Sequence, residues 1–213
     1  MVQALARWFA ASLCLLCLTG AAMSAEDEFA SNPVALSAAA VRELVRDPGA
    51  ETAGHEGGMI TIVEFFDYRC PFCRAMQPTL HRLIMQDSRV RLVLKEWPVL
   101  GGDSVMAARI AIAAGWQGRY PAVHDALLGL KGELTEARVK DAAAAAGVDL
   151  ARLDQDLTKH RDQVDHVLAR SVAEAQELHV HGTPTFVIGR LIVPGAVTFE
   201  DLRDLVAAEG SHP

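Results

Sequence analysis

Cys70 and Cys73, in "EFFDYRCPFCRAM" (Glu64 to Met76), are the residues of this 213-residue chain best equipped for chemistry. A pair spaced this way can form a reversible disulfide or supply half of a tetrahedral metal site. A thiol attacks a disulfide only as thiolate, so the redox reading needs a lowered pKa and a reachable sulfur. The zinc reading needs about four ligands, usually from two paired sets. No second CxxC or HxxxH lies downstream of residue 25. His179 and His181 have the spacing of one strand face and could add ligands, so soft Cu(I) is the surviving metal alternative. His81, His124, His160 and His166 fall on helical stretches and read as surface or satisfied residues.

The other CxxC, Cys14 to Cys17 in "CLLC", fixes the compartment instead. It sits inside an apolar run from Trp8 to Leu18, preceded by Arg7 and followed by the small residues Gly20, Ala21, Ala22 and Ser24. That is the three-part pattern of a secretory signal peptide over residues 1–25, cleaved near Ser24 or Ala25. The 11-residue run falls short of the roughly 20 residues that span a bilayer. Cleavage removes both early cysteines and leaves about 188 residues, one domain with room for an insertion. It also removes Arg7 and no acid, taking the formal charge from −7 to −8. A mildly acidic chain without a basic cluster argues against nucleic acid and anionic membrane surfaces. One Cys pair two residues apart closes too small a loop to staple an exported fold, so chemistry is its better explanation.

The surrounding elements must then position the sulfurs. "SAAAVRELVRD", Ser37 to Asp47, has helical spacing and stops at Pro48-Gly49; its apolar stripe is expected to dock on its own domain. "GAETAGHEGG" reads as turns. "MITIVEFF", residues 59 to 66, is β-branched and nearly all apolar, as expected of a strand buried on both faces. A helix follows the Cys pair, with a kink expected at Pro78, and a second buried strand follows at "VRLVLKEWPV". Cys70 thus falls between a strand's C-terminal end and a helix N-terminus, where free N–H groups and the helix dipole favour a thiolate. Pro71 suits the first helical position, and Cys73 lies one turn inside. Arg69 and Arg74 add positive charge nearby. Residues from Ser104 to about Leu178 read as helices broken at glycines, with Thr135 and Asp149 as N-caps. "TPTFVIG" and "RLIVPG" read as a hairpin around Gly189-Arg190, before a closing helix.

"EFFDYRCPFC" with a distant "GTPTFVIG" resembles the DsbA branch of the thioredoxin superfamily, especially its exported ScsC-type members. The resemblance covers nearly all of the chain after residue 25. It implies an α/β thioredoxin fold with an inserted helical domain: an N-terminal extension at 26–58, a βαβ part at 59–102, the insertion at 103–179 and a ββα part at 180–213. It makes Cys70 the attacking cysteine, Cys73 the resolving one, and Thr183-Pro184 a cis-proline loop whose Thr183 backbone pairs with the substrate. It matches Glu64 and Lys95 to the family's charged pair beneath the site, serving proton transfer at Cys73, with a structural ion pair or strand-end surface positions as alternatives. Phe72 stands where the type oxidase has histidine, and Thr183 where it has valine, so the redox direction is open. The implied protein is a periplasmic thiol-disulfide oxidoreductase without an organic cofactor. Its partners are exported client proteins with cysteines and a membrane redox protein that resets the pair. A copper-handling protein and a non-catalytic client-binding protein are the alternatives. Oligomeric state is open.

Overall fold

The computed structural model describes residues 35–210, so the leader reading at 1–25 lies outside them. Among the described residues no helix is long and apolar enough to cross a membrane. Five strands form one sheet: β1 (Glu51–Gly54), β2 (Ile60–Phe66), β3 (Val90–Glu96), β4 (Thr185–Ile188) and β5 (Leu191–Pro194). Their order is β1-β3-β2-β4-β5, with β2 and β3 parallel and the other pairings antiparallel.

The central strands are apolar on both faces because both faces are covered. One core joins Ile60, Ile62 and Phe66 of β2 to Leu92 and Leu94 of β3 and to Phe186 and Ile188 of β4. The helices against it are α2 (Pro71–Gln86), α3 (Gly102–Gly115), α4 (Tyr120–Gly129), α5 (Glu136–Ala145), α6 (Leu150–Lys159), part of α7 (Arg161–Glu177) and α8 (Phe199–Glu209). The smaller core on the other face joins Val63, Phe65, Val93 and Val187 to Leu44, Ala175 and Trp97. Leu44 belongs to α1 (Ala38–Val45), which therefore docks on its own sheet. The helical stretch between β3 and β4 shares its apolar core with the sheet rather than enclosing one of its own.

Local chemistry explains most boundaries. Ser37, Thr135, Asp149 and Thr198 cap α1, α5, α6 and α8 through side-chain oxygens. Gly189 takes φ 57° in the two-residue β4–β5 turn, a conformation that favours glycine. Pro78 lies inside α2 on an exposed position, and the helix continues to Gln86 across it. The turn reading of residues 49–58 is corrected at β1, where Glu51–Gly54 pairs antiparallel with Leu94–Arg91. Four residues with one small apolar side chain carry almost no period-2 signal; the neighbouring strand's free edge makes them β.

Candidate active site

β2 ends at Phe66 and α2 begins at Pro71, leaving Asp67 to Cys70 as the turn that presents the first sulfur. Cys70 is the N-cap residue of α2, and Pro71 opens the helix where its missing N–H costs nothing. Both cysteines are free thiols, Cys70 4% and Cys73 0% exposed. Cys70 Sγ lies 3.1 Å from the Thr183 carbonyl oxygen and donates to it. The Thr183-Pro184 peptide bond is cis. Thr185 Oγ1 donates to the Gly182 carbonyl at 2.7 Å, tying down the loop that carries this oxygen. Phe72 is 61% exposed between the two sulfurs, and Val99 and Leu100 are also exposed on the loop after β3.

Asp67 fastens that turn. Its buried carboxylate accepts from Arg69 N at 2.7 Å and Ser104 Oγ at 2.7 Å through Oδ1, and from Leu100 N at 2.9 Å through Oδ2. One side chain thus links the cysteine turn, the loop after β3 and the first turn of α3. Arg69 donates from its guanidinium to the Leu100 carbonyl, and Arg74 Nε donates to the Tyr68 carbonyl at 2.7 Å. These arginines brace backbone instead of simply adding charge.

Burial dominates the electrostatics of the second sulfur. Burial pushes the Cys73 thiol well above its usual pKa; a backbone hydrogen bond from Asp67 works against this, and negative charge on Glu64 adds to it. Glu64, 1% exposed, is itself pushed up to about 8 by burial. Its Oε1 has no hydrogen-bond partner among the described residues. With a value about 8, Glu64 is ionised in a minority of molecules near neutral pH, and in that form it can take the proton that the Cys73 thiol must lose.

The chain matches the DsbA-like thioredoxin domain over residues 61–207. It belongs to that family. DsbA-like proteins are thiol-disulfide oxidoreductases, including the ScsC type. A thioredoxin-like oxidoreductase from Silicibacter pomeroyi is 41% identical, with TM-score 0.77 over 80% of this chain and 98% of that one. The catalytic domain of Proteus mirabilis ScsC is 26% identical, with TM-score 0.71 over 81% of this chain and 95% of that one. The first curated relatives are far longer: the Na(+)/H(+) antiporter NhaA 1 of Salinispora arenicola is 32% identical over 151 residues, 70% of this chain and only 23% of that protein.

This DsbA-like site brings together Cys70, Pro71, Phe72, Cys73, Thr183 and Pro184, with Glu64 beneath, and leaves Lys95 out. In the parallel β2–β3 register Glu64 faces Leu94, whereas Lys95 faces Phe65. Paired residues share a face and neighbours alternate, so Glu64 and Lys95 point to opposite sides of the sheet. The expected Glu64–Lys95 pair is therefore corrected. Lys95 Nζ instead bonds Asp47 Oδ2 at 2.6 Å and Glu174 Oε2 at 2.7 Å, fully buried behind the site. The charged β3 residue on the Glu64 face is Glu96, whose Oε1 accepts from Tyr68 Oη at 2.7 Å and Tyr120 Oη at 2.8 Å. Burial pushes Glu96 up to about 8, against the pull of the two phenols. His124 Nδ1 lies 3.1 Å from Tyr68 Oη.

Asp67, Glu96, Tyr68 and His124 were not found by sequence reasoning, though Asp67 and Tyr68 flank the motif and Glu96 adjoins Lys95. Their partners come from α3 and α4, which no spacing rule places. His179 and His181 also differ from expectation. They are exposed and lie off any strand, His179 with φ 53° just past α7. Among the described residues no three His, Cys, Asp or Glu side chains come together in a metal-binding arrangement.

Proposed function

We propose that this protein is an exported thiol-disulfide oxidoreductase acting on cysteines of other exported proteins through a mixed disulfide at Cys70. The observation that carries the reading is the Cys70 sulfur at the start of α2, 3.1 Å from the carbonyl of Thr183. A client strand laid along the Thr183 backbone would bring its own sulfur to Cys70, with Phe72 and Leu100 as apolar contacts. In the resolving step Cys73 gives its proton to the carboxylate form of Glu64 and attacks the Cys70 sulfur. The Cys70–Cys73 bond forms, the Cys70–client bond breaks, and the client sulfur leaves as thiolate. Run backwards, the same steps oxidise the client, and a membrane redox partner restores the starting state of the pair. The leader pattern expected at residues 1–25 supports the periplasm as the site of this work.

Cys73→Ala tests the role of the pair, because a mixed disulfide at Cys70 then has no resolving thiol. Incubation with a reduced exported protein and an oxidant should accumulate a covalent complex that dithiothreitol releases. Equilibration in glutathione buffers gives the direction: about −120 to −180 mV supports an oxidase or isomerase, and near −270 mV a reductase. Failure of Cys70 and Cys73 to form any reversible disulfide would sink the proposal.

A further inference from the structure

Glu64 has to exchange its proton with solvent once per turnover, yet it is 1% exposed and Cys73 is sealed. The front exit runs past Cys70, which already lies against the Thr183 carbonyl and is covered when a client is bound there. A second way out exists. A cavity of about 350 Å³ opens between α2 and α4, over β1 and β3, and Glu64 lines it. Leu80, Leu94 and Leu128 are among its apolar walls. Gln77, His81 and Asp125 line it too, and they belong to the protein surface. His81 Nε2 lies 2.9 Å from Asp125 Oδ1, with the two side chains 47% and 44% exposed, and Gln77 Nε2 donates to the same oxygen at 3.1 Å.

We propose that this cavity is the proton route between Glu64 and solvent, with the His81–Asp125 pair at its mouth. The inference rests on the thiol-disulfide reading above. Three observations support it together. The Glu64 Oε1 atom is buried without a hydrogen-bond partner among the described residues. The space it borders exceeds the volume of several water molecules, and such space holds water where polar groups line it. The mouth carries a base and an acid able to pass a proton to bulk solvent. His124 also lines the cavity, and burial pushes it down to about 4, so it stays neutral and adds no competing positive charge near neutral pH. Each turnover then balances simply. Cys73 loses H⁺ to Glu64 as the new S–S bond forms, Glu64 releases H⁺ through the cavity, and the departing client thiolate takes one from solvent.

Chemical rescue tests the route. Glu64→Ala should slow resolution of a preformed Cys70 mixed disulfide about 10²-fold, the lower end of what general acid-base catalysis supplies. Formate, small enough for the cavity, should then restore the rate several-fold in a saturating manner. Adding His81→Trp to Glu64→Ala should abolish the rescue by closing the mouth. Glu64→Gln, which keeps the side-chain shape, should be slow and refractory to formate, and it tests the acceptor role if the alanine variant folds poorly. In that event D2O-exchange infrared spectroscopy of the Glu64 carboxyl in His81→Trp, which should slow its exchange, replaces the rescue, and unchanged exchange overturns the route. Slow resolution without rescue, or rescue that survives His81→Trp, also overturns the route and leaves Glu64 as the acceptor. Resolution of Glu64→Ala at the normal rate overturns the acceptor role itself, while the trapped Cys73→Ala complex would still report the disulfide chemistry.

Discussion

Glu64 is an acid whose folded pKa, about 8, lies above the 4.5 it has when exposed. Between those values the native state holds a proton that the unfolded chain has lost, so stability falls as pH rises from about 4.5 to 8. Each pH unit costs about 1.4 kcal/mol per such group. Reduced Glu64→Gln should therefore gain stability over the parent between pH 5 and pH 8, the gain growing to on the order of 3 kcal/mol. Urea unfolding at those two pH values measures it. A gain independent of pH would show that Glu64 is ionised in the fold. Glu96, also near 8, contributes a second slope that this substitution leaves in place. The cysteines and the cis-proline loop were legible in the sequence because short motifs carry them. The partner of Glu64 was not, because pairing across a sheet depends on register, and a shift of one residue reverses which face a side chain occupies.

At the level of elements, Lys95 joins α1 to the body. Asp47, just past α1, and Glu174, on α7, both bond its ammonium, and Arg170 reaches Asp47 at 3.3 Å and Glu174 at 3.2 Å. Burial pushes the Asp47 carboxyl up, but its bonds to Lys95 and Gly49 N and the nearby charges hold it below the usual range overall. Its folded pKa is depressed, so this support is present above about pH 4 and is lost as pH falls through the folded value. Lys95→Met leaves two buried carboxylates with Arg170 alone and should cost on the order of 3 kcal/mol. The Cys70–Cys73 potential should stay within about 10 mV of the parent, since the lysine lies across the sheet from Glu64. A large change in potential with little loss of stability would restore the abandoned pairing. The helix at 38–45 was readable from its spacing and its Ser37 cap, whereas the buried cation that fastens it was hidden in an apolar strand.

On the scale of the whole molecule, the exposed apolar residues Phe72, Val99 and Leu100 gather at the end of the molecule where Cys70 sits. Arg69 and Asp67 hold the 99–101 loop against the cysteine turn, so these side chains form one rim. Leu100→Ser should raise KM for an unfolded protein client several-fold and affect glutathione exchange much less. Equal effects on both would assign Leu100 to loop structure rather than to client contact.

The pleat between Glu64 and Lys95 also makes the sheet an electrical partition. An uncompensated acid beside a sulfur occupies one side, and a neutralised cluster that secures the amino-terminal helix occupies the other. Substitutions behind the partition can adjust tolerance to heat and acid without retuning the pH at which the sulfurs react. Those in front can shift the reactivity while the latch on α1 holds.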